Sequence, residues 1–213
     1  MNYFFINIPK WVQMIFKNHM WSIDTDQKEL YLTFDDGPTP EITEWVLDQL
    51  EKHKAKATFF CIGKNIEAHP EIFQKLIEGG HSIGNHTYDH LKGWTVNSDV
   101  YLENIKKTET LLNTYQLPNS KRLFRPPYGK ITRSQTKKIK EENYDIVMWK
   151  VLSADFDKTI RKEKCTENVL RNTTKGAIIV FHDSEKAAKN MRYTLPKVLE
   201  YYSKKGYVFK AIV

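Results

Sequence analysis

Two acidic residues stand side by side, Asp35 and Asp36, closing a short apolar run and followed at once by Gly37 and Pro38. Adjacent carboxylates repel and cost stability unless a cation or a shared proton offsets them. Further on, His86 and His90 lie four residues apart in the stretch His86-Thr87-Tyr88-Asp89-His90. On a helical turn that spacing brings both imidazoles to one face, within reach of one metal ion. It is not the metalloprotease arrangement, because Thr87 stands where that motif has its glutamate. Alone, the first cluster reads as an Asp-Gly turn, and the histidine pair is only moderately specific. Together they point to a metal held by two histidines and one aspartate, which leaves positions open for water and substrate as catalytic sites do.

Three further clusters carry chemistry. In Phe124-Arg125-Pro126-Pro127-Tyr128-Gly129 the consecutive prolines stiffen the loop and hold Arg125 and the Tyr128 amide in place. A rigid arginine beside a carboxylate orients it and keeps it ionised. Ser153-Ala154-Asp155-Phe156-Asp157 and Val180-Phe181-His182-Asp183 supply a histidine placed for general acid work and, in Asp155, a carboxylate to hold its tautomer and raise its pKa. His19, His53, His69 and His81 lack such company and are expected on the surface or in packing.

The elements that must position these groups alternate in type. Strand-like runs are expected at 30–34, 57–62, 81–85, 122–124, 146–150, 177–181 and 207–212, and amphipathic helices at 41–53, 71–79, 99–115, 133–142, 165–174 and 185–204. Such βα alternation implies an α/β fold with a parallel sheet, open or closed into a barrel, and one domain. In these folds the loops after the strand C-termini carry the chemistry, and each cluster follows directly on an expected strand.

Composition narrows the classes. The chain has 213 residues, 40% hydrophobic and 28% charged, with two cysteines, which excludes a fibre, a disulfide miniprotein and a four-cysteine zinc site. No apolar run approaches the roughly 20 residues of a membrane span. The net charge of +7 is spread among interleaved acids, so nucleic acid is not the expected partner. The densest basic clusters, Lys137-Lys138-Lys140 and Arg161-Lys162-Lys164, read as solvated helix faces, although an anionic cell-envelope polymer would be drawn to the same field. An N-terminal segment, 1–26, carries a short amphipathic helix within 9–20 that is expected to pack on the domain, and 27–213 forms the catalytic domain. Without a recognisable signal peptide the expected location is cytoplasmic, with both thiols reduced.

Taken in order, the five clusters resemble the polysaccharide deacetylase family (carbohydrate esterase family 4, the NodB homology domain), from about Leu30 to Val213. The resemblance implies a distorted (β/α)7 barrel and a divalent metal, usually zinc, with Co, Ni, Fe or Mn as other candidates. It implies Asp36, His86 and His90 as the metal triad, Asp35 as general base and Arg125 as the residue that tethers it. His182 would be the general acid, supported by Asp155, and the Tyr128 amide would stabilise the oxyanion. The implied reaction removes N-acetyl groups from an N-acetylglucosamine-containing glycan. Phe156 and Val180 depart from the family's usual Trp and Leu, which implies an altered acetyl pocket. Other readings are an amidohydrolase on a non-sugar amide, an esterase on O-acetylated xylan, and a glycan-binding protein without activity.

Overall fold

The computed structural model describes residues 5–117 and 121–213. A curled parallel sheet forms its centre: β1 (Glu29–Asp35), β2 (Thr58–Cys61), β3 (Ser82–Asn85), β4 (Arg122–Phe124), β5 (Tyr144–Ile146), β6 (Val151–Leu152), β7 (Ile178–His182) and β8 (Val208–Phe209). The order across the sheet is β5-β4-β3-β2-β1-β7-β6, with β8 pairing the start of β1. Helices α1 (Lys10–Ile15), α2 (Ile42–Lys52), α3 (Gly63–Ala68), α4 (Pro70–Glu78), α5 (Ser98–Leu112), α6 (Arg133–Glu141), α7 (Lys162–Asn172) and α8 (Ala188–Lys204) connect the strands. None of these helices is long and apolar enough to cross a membrane.

Strand periodicity explains how the site is supplied. On β1, Leu30, Leu32 and Phe34 enter the large cluster shared with α2 and α8, whereas Tyr31 packs with Phe60, Leu123, Val147 and Ile178 in the barrel interior. Side chains alternate along a strand, so Thr33 and Asp35 share the interior face with Tyr31. The register pairs Thr33 with Val180 and Asp35 with His182, so the ends of β1 and β7 deliver a carboxylate and an imidazole side by side. Outside, Phe34 stacks between Phe59 and Phe181 at 5.0 and 6.0 Å, tying β2, β1 and β7 together. Burying a ring of this size stabilises the sheet by about 2–3 kcal/mol. Gly84 clears room inside: a Cβ there would lie 2.4 Å from the Phe60 ring, the ring on which the Arg125 guanidinium rests at 4.2 Å.

The expected strand at 146–150 is broken. Val147 donates to Phe124 O, but Lys150 donates to Ile178 O, so the chain crosses here from the β4 side of the sheet to the β7 side. The carbonyls of Val147 and Met148 accept from Arg125 instead of a neighbouring strand. The N-terminal segment covers this break. Met20 bonds to Ile146 and Met148, and Ile6 and Ile8 bond to Leu152 and Lys150. The amphipathic helix expected in 9–20 spans only Lys10–Ile15, and Trp11, Met14 and Ile15 are exposed rather than packed. Helix α3 was not expected; it is short, has no side-chain cap, and ends at His69 before Pro70.

Candidate active site

Asp36, His86 and His90 converge at the C-terminal end of the sheet. One ligand atom from each lies within 4.8 Å of the others. Asp36 Oδ1 is 3.2 Å from His90 Nε2 and 3.8 Å from His86 Nε2, and this buried oxygen has no hydrogen bond of good geometry. Backbone conformation makes the convergence. Asp36 (φ 86°), Thr87 (φ 63°) and His90 (φ 55°) are all left-handed, a cost that structures concentrate at functional sites. At Asp36 this departure from strand geometry breaks the alternation, so consecutive carboxylates both act on His86. The His86 and His90 rings lie 5.1 Å apart between centroids.

The electrostatics suit a cation. Burial pulls the His86 pKa down to about 4, so its imidazole is neutral, and its Nδ1 is bound to the Arg125 carbonyl at 2.7 Å. That bond leaves the Nε2 lone pair facing the triad. Burial would raise the Asp36 carboxyl, but the close His90 imidazole and the charges of His182, His86 and His90 hold it well below the usual carboxylate range. An ionised carboxylate, a neutral imidazole and an orphaned oxygen fit a divalent metal.

Asp35 is held from below. The Arg125 Nη1 donates to Asp35 Oδ1 at 2.7 Å and to Thr33 Oγ1 at 2.6 Å, while Nε and Nη2 hold the Val147 and Met148 carbonyls at 3.1 and 2.7 Å. The guanidinium is fully buried, and removing its charge would strand a buried carboxylate. Across the opening, His182 Nδ1–H donates to Asp155 Oδ1 at 2.8 Å and the His182 backbone N–H to Oδ2 at 2.9 Å. Burial lowers the His182 pKa, but Asp155, Asp36 and Asp35 outweigh it and push it up to about 9. Tyr128, left-handed after the two prolines, sets its exposed ring 4.6 Å from that of His90. All eight residues singled out in the sequence thus meet around one opening.

The model of the family described as polysaccharide deacetylase matches residues 22–147. The chain belongs to the polysaccharide deacetylase family. This is a family of metal-dependent hydrolases, and the span holds the triad, Asp35, Arg125 and Tyr128, whereas Asp155 and His182 lie beyond it. A peptidoglycan-N-acetylglucosamine deacetylase of Bacillus cereus is 42% identical over 159 residues, covering 75% of this chain and 57% of the relative. A second of that name and organism is 34% identical and covers 90% of each. The crystal structure of the Bc1960 peptidoglycan N-acetylglucosamine deacetylase superposes with TM-score 0.86 at 36% identity, covering 94% of both chains.

The site also rests on residues to which the sequence assigned no role. Asp183, fully buried, accepts from the Gly37 N–H at 3.0 Å and from Thr43 Oγ1 at 2.6 Å, and its own N–H donates to Asp35 O at 3.1 Å. A Cβ on Gly37 would collide with it at 2.0 Å. Asp183 therefore clamps the turn that carries Asp35 and Asp36; its place directly after His182 was the available signal. Asn65 adds a bond to Asp36 O at 2.7 Å. Phe156 stands edge-on to His182 at 5.0 Å, and Val180 packs with Leu152 and Ala154, so both departures lie on the His182 side of the opening.

Proposed function

We propose that the chain is a zinc-dependent de-N-acetylase acting on N-acetylglucosamine units of peptidoglycan or a related envelope glycan, with 27–213 as its catalytic domain. The observation that carries this reading is the pairing of an Arg125-held Asp35 with an Asp155-held His182 on adjacent strands, across a triad of two imidazoles and a carboxylate. Asp36, His86 and His90 would hold the metal. That donor set with open positions matches catalytic zinc, which acts as a Lewis acid and brings the pKa of water from about 15.7 to about 7.

The residues divide the rest of the work. Asp35 takes a proton from the attacking water, and Arg125 keeps its carboxylate aimed. The Tyr128 backbone N–H donates to the acetamide oxygen as it gains negative charge. His182 gives its proton to the leaving nitrogen, which otherwise departs badly, and Asp155 stabilises the imidazolium beforehand. Water and an acetamide become acetate and an amine. A binding protein without activity would not need an acid and a base each held by its own buried partner, and here Asp35 is held by Arg125 and His182 by Asp155.

The test is acetate release from a panel of N-acetylated oligosaccharides, O-acetylated xylan and simple amides, with chelator and then with zinc or cobalt restored. Chelator-sensitive release from the N-acetylated sugars supports the reading. Release from xylan or simple amides alone would replace it. Cell fractionation decides whether the glycan is met as a cytoplasmic precursor or as wall polymer.

A further inference from the structure

The loops after β6 and β7 line an open concavity of about 620 Å³ next to the His182 side of the opening. Five cations line it, Lys158, Arg161, Lys162, Lys186 and Lys189, opposed by Glu163 and Glu185. Its base is fixed: buried Asn190 donates to the carbonyls of Asp155, Asp157 and Ile160 at 3.1, 3.3 and 3.3 Å. Phe156 joins the cavity to the chemistry. Lys186 Nζ lies 5.4 Å from the centre of that ring, whose edge faces His182.

The charge here is not balanced as it is elsewhere. Lys137, Lys138, Lys140 and Lys164, from the basic clusters of the sequence, pair with Glu141, Asp99, Asp145 and Glu167. Among the described residues, Lys158, Arg161, Lys186 and Lys189 form no such ion pair. Five cations against two acids leave a net positive charge in this concavity, which attracts the opposite charge.

We propose that this cavity is a subsite for an anionic substituent, a carboxylate or phosphate, on the same glycan whose acetamide is hydrolysed, so that an acidic glycan is preferred to a neutral one. The proposal rests on the deacetylase reading above. Arginine and lysine together offer a fork and point charges for such a group. Because the cavity adjoins His182 through one side chain, the anion sits on a sugar near the reacting one.

The test compares kcat/KM on a neutral N-acetylglucosamine tetramer, a tetramer alternating N-acetylglucosamine with its 3-O-lactyl acid, and a phosphate-bearing tetramer. The wild type is measured beside K158E/K189E and beside K52E/K54E, which makes the same charge change at the far end of the sheet. The acidic-to-neutral ratio is expected to fall at least about fivefold in K158E/K189E and to hold in K52E/K54E. It should also fall as salt rises from about 0.05 to about 0.5 M. The two acidic tetramers tell carboxylate from phosphate. Equal ratios in all three proteins, or equal falls in both variants, overturn the subsite. If no tetramer is cut, the deacetylase reading fails by itself, and the subsite is judged by fluorescence anisotropy of the labelled tetramers. Tighter wild-type binding of an acidic tetramer, lost in K158E/K189E, sustains it, and indifference overturns it. An oligonucleotide that displaces the acidic tetramer at lower concentration would assign the cavity to nucleic acid instead.

Discussion

Replacing Asp155 with Asn tests the general acid most directly. The change is nearly isosteric, but it removes the charge beside His182 and one of two acceptors. Asp155 now accepts from both Nδ1–H and the backbone N–H of His182. An amide has a single acceptor oxygen, so one contact becomes N–H against N–H. The magnitude follows from the pKa. Burial alone lowers His182 from 6.5, and the surrounding carboxylates, Asp155 first, raise it to about 9. A cation at the triad offsets the Asp36 share, leaving Asp155 with about 2 kcal/mol, or roughly thirtyfold in the protonation equilibrium constant. In D155N the alkaline limb of the pH–rate profile for an N-acetylated sugar should move acidward by more than about one pH unit, with kcat falling about twofold at pH ~7.5 and roughly thirtyfold at pH ~10. Cleavage of an activated acetate ester, whose leaving group needs no proton, should change little. A stationary alkaline limb, or the same loss on ester and amide, would refute the reasoning. Stability carries the same sign. The raised imidazole pKa contributes fully below 6.5 and is lost as pH rises through about 9, so the wild-type Tm advantage over D155N fades across that window.

Other perturbations separate the remaining roles. D35N should keep its metal, by equilibrium dialysis, while turnover falls by about 10²–10⁴; near-normal activity would remove Asp35 as base. H86A should lose metal and activity together, and a fully loaded, active variant contradicts the ligand set. R125L strands Asp35 and two carbonyls, at a cost of about 4 kcal/mol and a Tm loss of about 10 °C, read by calorimetry; an unchanged Tm would show that Arg125 bears no load. Asp183 is pushed up to about 7, first by burial and then by Asp36, against the lowering bond from Thr43. Wild-type stability is therefore lost as pH rises from the ordinary 3.8 through about 7. D183N keeps an acceptor for Gly37 N–H and can donate to Thr43, so its metal-free Tm should gain on the wild type over that range; parallel profiles would dismiss the effect.

Most of the site was legible because its parts are local in sequence. Each cluster is a short run at a strand end, and a period of two alone decides that Asp35 faces inward with Thr33. The acid–base pairing was legible only as two separate residue types. Its geometry comes from β1 and β7, 146 positions apart at Thr33 and Ile179, whose register sets Asp35 beside His182. Position along the chain could not reveal the break at 147–150 either. Those residues read as a good strand, and only the buried guanidinium of Arg125, arriving from another loop, claims the carbonyls of Val147 and Met148.

The residue types by themselves supplied the proposed chemistry, a metal donor set, a base and an acid, together with a strand-ended α/β frame. Tertiary structure alone decided which carboxylate each cation meets. It raised His182 by packing Asp155 beneath it, emptied His86 of its proton by burial, and enlisted Asp183 as the clamp of the Asp35–Gly37 turn. It also left the cations around Asn190 unpaired while others in the basic clusters found acids. These outcomes depend on distance and on exclusion of water, and both exist only once strands far apart in sequence lie side by side.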